Sequence, residues 1–277
     1  MPVILENVTY REKNARNPVH NKIFNIESLR INDGEFVGIV DTAESGGALL
    51  GKMICGLIRP DIGSITTANG SGKMPVSVYL ASEAEKAVSE ITVEKEVCAL
   101  LRKTEKNKEK LADAAGRAIG LVGLDYEAVK DKSPFELTCD ERRAISLASL
   151  LALSPEIIVL DEPMKNMDGV WCKQLMELLK KLNMQGVTIV LITADVSRIS
   201  EYAGRIIILK DGRIAIDSSA KNVFSEYFFL NHLGVDVPDV KKCCQMLREN
   251  GMDMPSNIIL YEQFIDRLKI LMWRKNK

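Results

Sequence analysis

The sequence predicts an α/β fold, a largely parallel sheet with a helical block inserted between its strands. Three observations carry this. Short, mostly apolar runs, Phe36–Val40, Ile157–Leu160, Val187–Ile192 and Arg205–Leu209, have the length and texture of strands buried on both faces. Segments with helical spacing alternate with them: Trp171, Leu175, Leu178, Leu179 and Leu182 fall on one helical face. A chain of 277 residues that is 46% hydrophobic can bury a sizeable core and is not disordered.

In chain order, Val3–Val8 and Ile23–Ile31 read as strands, and Asn32-Asp33-Gly34 as the turn before the Phe36–Val40 strand. A Gly-rich segment follows, then a helix running to Leu57. Residues 61–75 read as a hairpin, with Gly70-Ser71-Gly72-Lys73 at its turn, and Val76–Leu80 as another strand. From Ile91 to Leu124 the pattern is helical: Val93, Val97, Leu100 and Leu101 share a face, Lys103–Lys110 is solvated, and Leu111–Leu124 forms a second helix. Residues from about 221 onward form a helical tail.

Composition narrows the function. Lys plus Arg total 37 and Asp plus Glu 38, a net charge of −1, so the basic excess of a nucleic-acid binder is missing. There are only two histidines, His20 and His232, far apart in sequence, which argues against catalysis built on several histidines. The six cysteines form no C-x-x-C pair and no signal peptide is visible, which points to free thiols in a reducing cytosol. The longest apolar stretch, Leu147–Leu160, is broken by Ser154, Pro155 and Glu156 and falls short of the roughly 20 residues that span a bilayer.

The strongest single motif is Ile157-Ile158-Val159-Leu160-Asp161-Glu162-Pro163. It places two carboxylates at the C-terminal end of a buried strand, the edge at which open α/β sheets bind ligands. Such a pair can hold magnesium and activate water; the same pattern also fits a strand ending in two solvated acids. A phosphate loop should follow the Phe36–Val40 strand and open a helix. Two other segments imitate one. Gly46–Lys52 fits GxxxxGK but is followed by Met53, and Gly72-Lys73 is followed by Met74, where a hydroxyl is needed.

Landmarks spread over the whole chain resemble an ATP-binding-cassette (ABC) ATPase. They include Leu5-Glu6-Asn7-Val8-Thr9-Tyr10, Asp33-Gly34-Glu35-Phe36-Val37, Gly56-Leu57-Ile58-Arg59-Pro60, Leu121-Val122-Gly123-Leu124, Lys132-Ser133-Pro134-Phe135-Glu136-Leu137 and Leu160-Asp161-Glu162-Pro163. In the tail, Leu233-Gly234-Val235-Asp236-Val237-Pro238 and Leu247-Arg248-Glu249-Asn250-Gly251 are similar to the ATPase subunits of energy-coupling-factor (ECF) transporters. The resemblance implies a P-loop, RecA-like core with an N-terminal antiparallel β region. It places an ABC ATPase-like domain over 1–220, with a helical subdomain inserted over about 81–155, and a dimerisation tail over 221–277.

The departures from the family pattern are concentrated where nucleotide would bind. Laid over GxxGxGK[ST][ST], the loop has Asp41 and Glu44 for two glycines, keeps Ser45 and Gly46, and has Gly47 for the lysine and Ala48 and Leu49 for the hydroxyls. One carboxylate about 4 Å from a phosphate charge costs roughly 4 kcal/mol at an effective dielectric near 20. The LSGGQ signature becomes Leu137-Thr138-Cys139-Asp140-Glu141, and Asp140 puts an anion at a helix start meant for a partner's phosphate. The Gln-loop position falls near Ser82, the switch histidine on Ala194, and the adenine-stacking aromatic on Glu12, with Tyr10 read as core. Asp161 (the magnesium position), Glu162 (the general base) and the D-loop Asp168 are kept.

What the resemblance implies is therefore a degraded member: an energising subunit of an ECF-type uptake transporter for a vitamin or metal ion, binding ATP and magnesium weakly or not at all. Its expected partners are a second, active ABC ATPase subunit, a transmembrane scaffold and a substrate-binding membrane subunit, with no nucleic acid. The scaffold would dock around residues 82–100, on the cytoplasmic face of the membrane. Two other readings stay open: a regulatory scaffold detached from transport, and an ATPase with an unconventional loop using Lys52.

Overall fold

The computed structural model describes residues 2–11, 23–42, 45–67, 74–224, 230, 233–255, 258 and 260–275, excepting the side chains of 197–198 and 273–275. The chain divides into two compact units, one of residues 1–8, 27–35 and 48–190, the other of residues 9–26, 36–47 and 191–277.

Strands β1 (Val3–Arg11), β2 (Ile23–Ile31) and β4 (Ile62–Thr66) form an antiparallel sheet in the order β2-β1-β4, largely within the first unit. Within the segment expected as a hairpin, β4 is a strand that joins this sheet beside β1, and residues 68–73, with the expected turn Gly70–Lys73, lie outside the described residues. The first unit also pairs β5 (Ser77–Leu80) in parallel with β6 (Ile157–Asp161), Tyr79 opposite Val159 and Leu80 opposite Leu160. β7 (Thr188–Thr193) lies next to β6. Every residue of β7 and the first four of β6 are buried, as continuous Ile/Val/Leu runs require.

The inserted helices follow β5: α2 (Val93–Cys98), α3 (Lys108–Leu121), α4 (Tyr126–Val129) and α5 (Cys139–Leu151). α2 lies against α3 and α5, burying Val93, Val97, Ala115, Ile119, Ile145 and Ala148. The second helix begins three residues before the expected Leu111 because Asn107 caps it, accepting from Glu109 N and Lys110 N. Helix α6 (Gly169–Met184) follows β6 and buries the expected face through Leu175, Leu178 and Leu179.

In the second unit, β3 (Phe36–Asp41) runs parallel to β8 (Arg205–Lys210) with Asp41 opposite Leu209, and the order continues β7-β3-β8-β9. The edge strand β9 (Arg213–Ser219) is absent from the sequence reading, since it presents no continuous apolar run: Ile214 and Ile216 alternate with exposed residues. It turns back from β8 through Asp211-Gly212, both at positive φ (50° and 73°), as a two-residue hairpin turn demands. Helix α1 (Gly47–Ile54) begins where the unit boundary falls. After α7 (Val196–Tyr202) and α8 (Ala220–Val223), the tail carries α9 (Asp239–Glu249) and α10 (Tyr261–Lys275). These gather a small core of Cys244, Met254 and Ile258, flanked by Val240, Leu247, Phe264 and Leu271. Among the described residues, no helix is long and apolar enough to cross a membrane.

Candidate functional site

The loop between β3 and α1 is fastened at several points within the second unit. Thr42 Oγ1 donates to Leu209 O at 2.6 Å, Ser45 Oγ donates to Thr42 O, and Ser45 Oγ accepts from Asp211 N at 3.1 Å. Gly46 stands at φ +109°, with Phe24 Cδ2 2.7 Å from where a Cβ would be, so this position admits only glycine. Asp41 Oδ2 accepts from Gly47 N at 2.9 Å, placing a carboxylate on the first residue of α1. A Cβ on Gly47 would meet Asp41 Oδ2 at 2.8 Å, Ile192 Cγ2 at 2.8 Å and Asp41 Cβ at 2.9 Å. The first turn of α1 continues with Ala48 and Leu49, both half-buried and without a polar side-chain atom. Glu44 and Glu12 lie outside the described residues; Tyr10 is half-buried on β1, and Ala194 is exposed just past β7.

In the first unit, β6 delivers Asp161 and Glu162, both half-buried. Glu162 sits at φ 46°, a left-handed conformation uncommon outside glycine. Tyr79, from the neighbouring β5, donates its hydroxyl to Asp161 Oδ2 at 2.8 Å. Burial, reinforced by that hydrogen bond, holds the phenol protonated well above its ordinary range. Lys52 Nζ lies 5.8 Å above the Tyr79 ring. It belongs to the last turn of α1.

The signature segment opens α5. Thr138 and Glu141 form a reciprocal capping box: Thr138 Oγ1 accepts from Glu141 N at 3.2 Å, and Glu141 Oε2 accepts from Thr138 N at 2.8 Å. Cys139 is exposed. Asp140 Oδ2 receives a long 3.5 Å contact from Asp168 N, bringing signature and D-loop positions together. The Asp168 side chain is itself occupied as the N-cap of α6, accepting from Val170 N at 2.7 Å and Trp171 N at 3.0 Å.

Two residues that the sequence reading did not single out join these segments. Arg143, one turn into α5, pairs with Glu85 at 2.8 Å, both side chains less than one-tenth exposed. Its guanidinium also donates to Lys165 O, to Pro163 O at 3.5 Å and to Ser82 O at 3.4 Å. The Gln-loop position Ser82, the start of α5 and the stretch after Asp161-Glu162 thus share one buried cation.

A magnesium nucleotide needs free amides at a helix start, a cation for its outer phosphates and a hydroxyl for the metal. The donors present do not match. The Gly47 amide has a carboxylate partner, position 47 has no side chain, Ala48 and Leu49 have no hydroxyl, and Asp161 accepts from a tyrosine. Asp161 and Glu162 keep the carboxylates that the family pattern has at these two positions.

Comparison with known proteins agrees with the fold. A family model described as ABC transporter matches residues 24–165. The energy-coupling factor transporter ATP-binding protein EcfA2 of Streptococcus pneumoniae serotype 2 (strain D39 / NCTC 7466) is 30% identical over 279 residues, covering 97% of this chain and 99% of its own length. The protein of the same name from Clostridium tetani (strain Massachusetts / E88) is 29% identical, covering 95% of this chain and 94% of its own. Among solved structures, cbiO1 from Clostridium perfringens, part of the ABC transporter complex cbiONQ, matches with a TM-score of 0.67 at 19% identity over 86% of this chain and 96% of that one. The ATP-binding cassette MJ0796, a dimer in a post-hydrolysis state bound to ADP and Pi, matches with a TM-score of 0.64 at 23% identity over 79% and 98%. These two structures share the fold. With the family model and the near full-length likeness to EcfA2 together, the chain belongs to the ABC transporter family, among the relatives of the energy-coupling-factor ATP-binding proteins.

Proposed function

We propose that this chain is an energising subunit of an ECF-type ABC uptake transporter for a vitamin or metal ion, that it does not itself hydrolyse ATP, and that it works beside an active ATPase subunit. The observation that carries the reading is the start of α1, where Asp41 holds the Gly47 amide and no lysine follows. Magnesium-ATP meets a carboxylate there instead of a cation, a reversal worth several kcal/mol in a partly buried site. In this reading residues 1–220 form the ATPase-like domain and 221–277 a dimerisation tail. A homodimer is inert. A heterodimer has one competent phosphate loop, on the partner, facing Thr138-Cys139-Asp140. The assembly lies on the cytoplasmic face of the membrane, with a transmembrane scaffold docked near residues 82–100 and a separate membrane subunit choosing the solute.

Calorimetry of magnesium-ATP added to the purified chain tests this. We expect no heat at protein concentrations of tens of micromolar. A micromolar dissociation constant, about 8 kcal/mol of binding, overturns the reading. Co-purification of an intact ATPase and a polytopic membrane protein with the chain is the second expectation; a regulatory role outside transport predicts neither.

A further inference from the structure

We infer that Asp41 is a built-in anion for α1: its carboxylate takes the helix-start amide that a phosphate would take and fills the room in which a side chain at position 47 would begin. The inference rests on the proposed loss of nucleotide binding and adds its cause, namely that the position is filled and not merely stripped. An ordinary N-cap accepts from an amide two or three residues on. Asp41 is six residues before Gly47, at the end of another element, and reaches it across the loop at 2.9 Å. Its position is fixed by the sheet, since Asp41 stands opposite Leu209 of β8 and Thr42 is tied to the same residue. The second face of the filled volume is Ile192, 2.8 Å from the missing Cβ, which β7 holds just as firmly.

Positions 41 and 47 are therefore coupled. A lysine at 47 needs the space that Asp41 occupies, and a glycine at 41 leaves the Gly47 amide without this partner. Of the substitutions that would return the loop to the family pattern, these two therefore depend on each other.

The test is a thermal-unfolding cycle on the full chain with Gly47→Lys, Asp41→Gly and the double variant, each with and without millimolar pyrophosphate. Asp41→Asn serves as a control that keeps an acceptor oxygen without the charge. We expect Gly47→Lys alone to lower the midpoint by about 2–10 °C, the cost of overpacking in a domain of this size. In the Asp41→Gly background the same change should cost less than half as much. Pyrophosphate should raise the midpoint of Asp41→Gly and most of all of the double variant, and leave the wild type and Gly47→Lys unmoved. Asp41→Asn should fold like the wild type, so the inference can still be judged by Gly47→Lys in that background if Asp41→Gly does not fold: the amide is isosteric with the carboxylate, and the cost should persist undiminished. Equal cost of Gly47→Lys in the wild-type and Asp41→Gly backgrounds overturns the inference, as does its disappearance in the Asp41→Asn background. Those results leave the proposed function standing, whereas magnesium-ATP binding by the wild type overturns the proposed function itself.

Discussion

The starts of α1 and α5 make an instructive pair, because both are helix N-termini at family phosphate positions and both carry an acid. At α5 the cap is local: Thr138 and Glu141 exchange hydrogen bonds within one turn, so the segment supplies its own partners wherever it becomes helical. At α1 the partner comes from outside the helix, from the last residue of β3, a strand paired with β8. A cap of the first kind belongs to its sequence; one of the second kind belongs to the fold. The same amide chemistry is therefore met within the helix at one site and from a strand at the other.

The contrast can be broken first through α5's interior. Arg143→Ala leaves Glu85 as an uncompensated buried carboxylate and releases the carbonyls of Ser82 and Lys165. We expect a loss of about 3–5 kcal/mol, or roughly 10 °C in the melting midpoint. A change of less than about 1 kcal/mol, read by urea titration, would mean that α5 is held by its cap and not by this pair. Thr138→Ala should cost about 1 kcal/mol, and Thr138→Asp should restore it because Asp caps equally well. If Asp does not rescue, the local character of this cap is refuted.

A pH-dependent effect is expected at the far end of α1. Cys55, just past the helix, donates its thiol to Val78 O at 3.3 Å, and burial pushes its pKa from 9.0 up to about 12. A group whose folded value is raised stabilises the protein below its unfolded value and loses that contribution as pH rises through the interval. The stability difference between the wild type and Cys55→Ala should thus be constant below about pH 9 and shrink between pH 9 and 12. Denaturant titrations at three pH values check this; a difference that grows with pH would contradict the assignment.

Legibility in the sequence follows the same division between local and distant partners. The buried strands could be read because apolar runs such as Ile157–Leu160 announce themselves, and the spacing of landmarks gave the family. The capping box is present in Thr138-x-x-Glu141, although Asp140 is the acid that stands out against the family signature. Asp41 is legible as a misfit in the family pattern, but its partner is not, because that contact joins the end of a strand to the start of a helix. Tyr79 and Glu85 went unnoticed for a related reason. Tyr79 is one hydroxyl in an otherwise apolar strand, and its meaning comes from β6 lying beside β5. Glu85 lies 58 positions from Arg143, a separation that periodicity cannot bridge. The edge strand β9 lacks an apolar run because one of its faces meets solvent.

The buried Arg143 has a mechanical consequence. Its guanidinium ties the stretch around Ser82 and Glu85, the body of α5 and the turn after β6 into one stiff joint. Under the proposed function, a push received at the first of these would reach the other two through protein groups alone, with no bound ligand as the link. If the chain works beside an active ATPase as proposed, such a joint would serve a passive lever, a part that relays a stroke generated elsewhere.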